Sequence, residues 1–113
     1  MSPGDVVLVP FPYTERAVTY RRPALVIAGP LGERDNPLLW VLMVTDQSNR
    51  PWPGDVSLAD RYRDAGLFYP SVVRTAKIVN VEMQNATRIG CLPPMLMAEV
   101  TREIRLRLDP VLN

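Results

Sequence analysis

Prolines are spread along the whole chain, twelve of them in 113 residues, and with the glycines they cut its apolar sequence into short runs. Proline cannot donate to a sheet ladder and breaks a helix interior, so a chain divided this often is built mainly from short strands joined by fixed turns. Gly4-Asp5 opens the first run, Val6-Val7-Leu8-Val9, which Pro10-Phe11-Pro12 closes. Consecutive aliphatic and β-branched residues predict a buried strand, ended by proline. Tyr13 to Arg21 is polar without a regular period and predicts a mobile loop. Pro23 then leads Ala24 to Ala28, a second strand with Gly29-Pro30 as its stop, and after the turn-rich residues 31 to 37 a third strand spans Leu38 to Thr45. Beyond the Pro51-Trp52-Pro53 loop the pattern predicts a short strand over Gly54 to Leu58. Two more follow, Ser71 to Arg74 and Lys77 to Val81, and a last one within Thr87 to Leu92.

The period changes after Pro93. Leu96, Val100, Ile104 and Leu108 recur at helical spacing, with Glu99, Arg102, Glu103 and Arg107 on other faces, so residues 94 to 108 form an amphipathic helix. Pro93 and Pro94 suit its first turn. Glu99 with Arg102, and Glu103 with Arg107, stand where opposite charges meet on a helix surface. Short strands followed by one helix predict a mainly β fold with a C-terminal α-helix. The sheet is small and strongly bent, or a partly closed barrel with the helix over one opening. The length suits one domain over residues 1–113.

Composition removes several function classes. Thirteen basic against twelve acidic residues give a net charge of +1, so any nucleic-acid site must be a local patch. The chain has no histidine and one cysteine, which leaves poor material for a transition-metal site and rules out an intrachain disulfide and a Ser-His-Asp arrangement. Cys91, between Ile89 and Leu92, reads as a small buried hydrophobe. The longest strongly apolar run, Leu38 to Val44, falls far short of the roughly 20 residues of a bilayer span. The N-terminus has no basic-then-apolar leader, and the expected location is the cytoplasm.

Three polar residues stand at the ends of predicted strands. Arg22 precedes Pro23, which biases it to an extended backbone and places it at the rim of the core or in a groove. Thr45 ends the third strand where the chain passes into Asp46-Gln47-Ser48, residues that also suit a turn. Arg74 follows Val72-Val73, where a neutral side chain is usual. It is either one half of an ion pair at the core rim or a group facing a site.

The block from Gly4 to Pro12, followed by Arg21-Arg22-Pro23-Ala24-Leu25-Val26-Ile27, resembles the opening of MazF/PemK toxins. Ser71-Val72-Val73-Arg74-Thr75-Ala76-Lys77-Ile78 and the helix from Pro93 to Leu108 resemble the rest of that family in order and spacing. The resemblance runs from about Gly4 to Leu108. It implies an SH3-like barrel with a C-terminal helix, usually a homodimer, that cuts single-stranded mRNA at short sequences without metal or other cofactor. The products would be a 2′,3′-cyclic phosphate and a 5′-hydroxyl. It also implies a cognate antitoxin whose acidic C-terminal tail lies across the RNA groove.

Carried over residue by residue, the resemblance makes Arg22, Thr45 and Arg74 the catalytic residues. Tyr20, Arg21, Asp46, Gln47, Ser48, Trp52 and Thr75 are the candidate RNA contacts. Loop aromatics suit the stacking of single-stranded bases, and Tyr13 and Phe11 lie beside the same loops; for Phe11 and Trp52 burial is the alternative. One position departs from the pattern. Ala76 stands where some PemK-like members carry an aspartate as proton acceptor, which passes that task to Arg22 or Asp46 or leaves a homologue that only binds RNA or a protein. A toxin of the same fold that poisons DNA gyrase is a further alternative, but the chain ends Leu108-Asp109-Pro110-Val111-Leu112-Asn113, without an aromatic tip.

Overall fold

The computed structural model describes residues 1–12 and 19–112, with the side chains of 11, 12 and 19 excepted. Among these residues six strands are present: β1 (Asp5–Pro12), β2 (Thr19–Leu31), β3 (Leu38–Asp46), β4 (Asp55–Ser57), β5 (Ser71–Glu82) and β6 (Thr87–Cys91). A single 3₁₀ turn, Met83–Asn85, follows β5, and the helix α1 spans Pro94–Leu112. The strands form one antiparallel sheet in the order β4-β5-β3-β2-β1-β6, with β4 and β6 at its two edges. Among the described residues no helix is long and apolar enough to cross a membrane.

Several boundaries differ from the sequence reading, each for a backbone reason. β1 runs on through both prolines, which pair with Arg21 and Thr19. β6 accompanies β1 only as far as Leu8, so beyond it one side of the strand has no paired strand among the described residues and a missing N–H costs no ladder bond there. Thr19 to Arg21 therefore belong to β2 and not to a loop; the rest of that predicted loop, residues 13–18, lies outside the described residues. β2 is bent but not stopped at Gly29-Pro30, with register shifts on both sides of Ala28. At Gly29, φ is +129° and a Cβ would stand 2.9 Å from the Leu38 carbonyl oxygen, so the bend needs glycine. The two strands expected over 71–81 are one: more residues separate Val73 from Ile78 than separate their partners Val44 and Leu42, and a bulge absorbs the surplus.

The sheet has apolar side chains on both faces. One face, with Val6, Leu25, Leu42 and Val73, is covered by α1 through Leu96, Val100 and Ile104 and by Leu58, Ala65 and Leu67 of the β4–β5 connection. The other carries Val7, Val9, Ala24, Val26, Val41 and Met43, flanked by Met83 and Ala86. The β4–β5 connection also reaches the far edge of the sheet. Cβ atoms built on Gly66 and Gly90 would collide with backbone of Ile89 and Ala65 respectively, so this segment lies directly against β6. The two rims are thus drawn together around the first cluster while β4 and β6 stay unpaired with one another among the described residues, which is the partly closed form. Cys91, expected inside, is exposed, because it ends an edge strand. On α1 the Glu103–Arg107 pair forms at 3.4 Å.

Asp5 ties the N-terminus to β6. Burial pushes its carboxyl up, but the Ser2 N–H at 2.9 Å and the Arg88 guanidinium at 3.0 Å outweigh this and hold it below the usual carboxylate range. A carboxyl lowered in the folded state contributes its stability above the ordinary value of about 4 and loses it as pH falls through the folded value. The melting temperature should therefore hold from neutral pH to about pH 5 and then fall more steeply in the wild type than in Asp5→Asn. Parallel curves in acid would show that Asp5 contributes nothing.

Candidate functional site

Arg22, Thr45 and Arg74 sit on three adjacent strands, β2, β3 and β5. Arg22 shares the face of Ala24 and Val26, and Thr45 that of Met43, by the two-residue alternation of a strand. The β5 bulge, just after Arg74, lets both Arg74 and Lys77 turn to the same side. The result is a cavity of about 200 Å³ lined by Arg22, Met43, Val44, Thr45, Asn49, Arg74 and Lys77. It carries three basic side chains and no carboxylate. Its volume leaves ample room for a phosphodiester group.

The three residues are held differently. Thr45 Oγ1 accepts from Asn49 Nδ2 at 2.6 Å, which leaves the threonine proton to donate. Arg74 is only 9% exposed. Its Nε donates to Asp55 Oδ1 at 3.3 Å, and its Nη2 donates to Asp55 Oδ2 at 3.1 Å and to the Arg50 carbonyl at 2.8 Å. The Trp52 ring lies over the guanidinium, 4.2 Å from its carbon. Arg74 is thus an ion-pair partner that also lines the cavity. Arg22 is half-buried, the fourth residue of β2, opposite Val9.

The other candidates are more scattered. Tyr20 is an exposed β2 residue, 44% accessible. Arg21 points away from Arg22, donating to the Leu8 carbonyl and to Thr87 Oγ1, and lines a separate cavity with Phe68 and Tyr69. Asp46, Gln47 and Ser48 form a turn in which Asp46 accepts from the Ser48 N–H and Gln47 from Ser57. Trp52 stacks on Arg74 with part of its surface still open. Thr75 is buried and uses its hydroxyl on the Gly54 carbonyl at 2.7 Å. Tyr13 lies outside the described residues, as does the side chain of Phe11. Ala76 faces an apolar groove of about 610 Å³ between the sheet and α1, away from the cavity.

Sequence reasoning missed Asn49, Lys77 and Asp55. For Asp55 a signal was present: Gly54-Asp55-Val56 repeats Gly4-Asp5-Val6. In both, a glycine at positive φ starts a strand and the aspartate grips an arginine on the neighbouring strand, Arg74 or Arg88.

Comparison with solved structures returns the same fold. A MazE–MazF structure from Deinococcus radiodurans (Form-III) superposes with a TM-score of 0.70 at 20% identity, covering 96% of each chain. MazF from the same organism (Form-I) gives 0.67 at 22% identity with the same coverage. The Mycobacterium tuberculosis toxin MazF-mt6 gives 0.66 at 18%, covering 93% of this chain and 96% of its own. Among curated proteins no relative matches. The family model of PemK-like, MazF-like toxins of type II toxin–antitoxin systems matches residues 2–108, and with nearly the whole chain accounted for, this protein belongs to that family.

Proposed function

We propose that the protein is a toxin that cuts single-stranded mRNA within the cavity between β2, β3 and β5, without a metal ion, and leaves 2′,3′-cyclic phosphate and 5′-hydroxyl ends. The observation that carries this reading is the meeting of Arg22, Arg74 and Lys77 with Thr45 around one cavity. In such a cleavage the 2′-oxygen bonds to phosphorus as the bond to the 5′-oxygen breaks, and negative charge grows on the non-bridging oxygens. Guanidinium donors fixed around those oxygens stabilise that charge, and the threonine adds a neutral donor. The 2′-hydroxyl must lose a proton and the 5′-oxygen must gain one. With no carboxylate on the cavity wall, we assign the exchange to the cavity's basic side chains and water.

Family membership supports an antitoxin partner, and three basic groups in one concavity suit the acidic C-terminal tail expected of it. The apolar groove beside α1, with Trp40, Ile78 and Leu108 partly exposed, is the face we assign to a second copy in a homodimer. The missing carboxylate favours one other reading, a protein that binds RNA without cutting it.

Incubating purified protein with mixed single-stranded RNA in EDTA separates the two. Cleavage by the wild type and little by Arg22→Ala is expected. Intact RNA with the wild type would leave only the binding role, and equal cleavage by both proteins would remove Arg22 from the site.

A further inference from the structure

An arginine has five N–H donors, and the fold already uses three of those on Arg74: one on Nε and two on Nη2. Only the Nη1 pair has no partner among the described residues. The carboxylate that takes two of the three, Asp55, is an odd neighbour for an anion site, because its charge opposes any phosphate entering the cavity. It is nonetheless built in with care. Its side chain is 10% exposed, it accepts the Trp52 N–H at 2.9 Å, and its own N–H returns to the Trp52 carbonyl at 3.1 Å. The loop is tied at two more points, by Thr75 to the Gly54 carbonyl and by Arg107 of α1, 3.2 Å from the Pro53 carbonyl. Gly54, at φ +87°, has no room for a Cβ beside Arg107 and Thr75.

We propose that Asp55 is a positioning residue for RNA cleavage, a role that rests on the nuclease reading: its two-pronged grip, with Trp52 stacked above, turns Arg74 so that Nη1 alone is offered to the scissile phosphate. A paired fork fixes the plane of a guanidinium as well as its place, and the aromatic face prevents it from tipping. The carboxylate gives up some ground-state attraction for RNA and supplies orientation, which matters most when charge peaks in the transition state. Neutralising it therefore lowers turnover without weakening binding. A purely structural role would weaken both, and a purely electrostatic one would improve both.

The test uses the full-length chain. Dissociation constants are measured with a 2′-O-methyl RNA that cannot be cut, and kcat with its cleavable counterpart, for wild type, Asp55→Asn and Asp55→Glu. Asp55→Asn is expected to bind the uncut analogue as tightly as wild type or more so, while kcat falls roughly 10–100-fold. Asp55→Glu, which keeps the charge, should recover part of the loss. The Arg74 Nε–H resonance, identified by its absence in Arg74→Lys, should be protected from exchange in wild type and lose that protection in Asp55→Asn. Unchanged kcat in Asp55→Asn, or a fall in kcat matched by an equal loss of affinity, overturns the proposal. Should the wild type not cut RNA at all, the nuclease reading fails separately; the hold on Arg74 is then judged by Nε–H exchange, and equal exchange in wild type and Asp55→Asn overturns it.

Discussion

Arg74→Ala is expected to slow RNA cleavage by roughly 10²–10³-fold, the usual cost of removing a donor aimed at developing charge. It should also destabilise the protein, because the substitution strands Asp55 in a nearly closed site with no counter-charge. Breaking one side of a buried pair costs on the order of 3–5 kcal/mol, and the loss here should be about 2–4, since a little water reaches both partners. These two effects are separable. The double variant Arg74→Ala/Asp55→Asn removes the stranded charge, so it should regain most of the stability and none of the activity. Urea midpoints and cleavage rates measured together on both proteins decide the matter. If the double variant recovered activity along with stability, Arg74 would be a structural residue and the cavity would have to work without it.

The second large effect is expected far from the cavity. Gly66→Ala should destabilise the fold by about 2–5 kcal/mol, combining a left-handed backbone that L side chains avoid with an overpacked contact. Gly66 has φ +82°, and a methyl group there would run into the Ile89 carbonyl. Backbone cannot swing aside as a side-chain tip can. Gly32→Ala is the internal control, because φ is +79° there too but no atom lies within 4 Å of its Cβ. It should show the conformational cost alone, about 1–2 kcal/mol. Equal midpoints for the two variants would mean that the β4–β5 connection has slack against β6.

Most of the fold could be read from local pattern. The strand cores Val6 to Val9, Ala24 to Ala28 and Leu38 to Thr45 and the helical spacing from Leu96 to Ile104 are one-dimensional signals, and each became the element it predicted. The failures share a cause. Pro10, Pro12 and Pro30 were read as stops because a proline's effect depends on whether a strand lies on its N–H side, and that is a fact about neighbours in space. The break at Thr75-Ala76 looked like a gap between strands because a bulge and a gap interrupt alternation alike. Cys91 was placed inside from its apolar surroundings, although an edge strand leaves one side of such a residue open.

The site was legible in a different degree. Arg22, Thr45 and Arg74 were chosen through family resemblance and strand-end position, and they do line one cavity. Their supports were not chosen. Asn49 is four residues beyond Thr45, and Lys77 joins Arg74 only because the bulge turns both to one side. Arg21, adjacent to Arg22 in sequence, was expected to work with it, and strand alternation sends it to the opposite face. Asp55 could have been found from the repeated Gly-Asp-Val. That motif grips an arginine twice in this fold, but only the second arginine borders the cavity.

The prolines of β1 bear on how copies of this chain meet at high concentration. Exposed strand backbone invites foreign strands to zip on and seed fibrous aggregates. Along the stretch of β1 that β6 leaves uncovered, Pro10 and Pro12 stand two apart, so the donors they lack would have pointed the same way. An intruding strand would find its acceptors unanswered there, and the outer strands β4 and β6, three and five residues long, offer it little more.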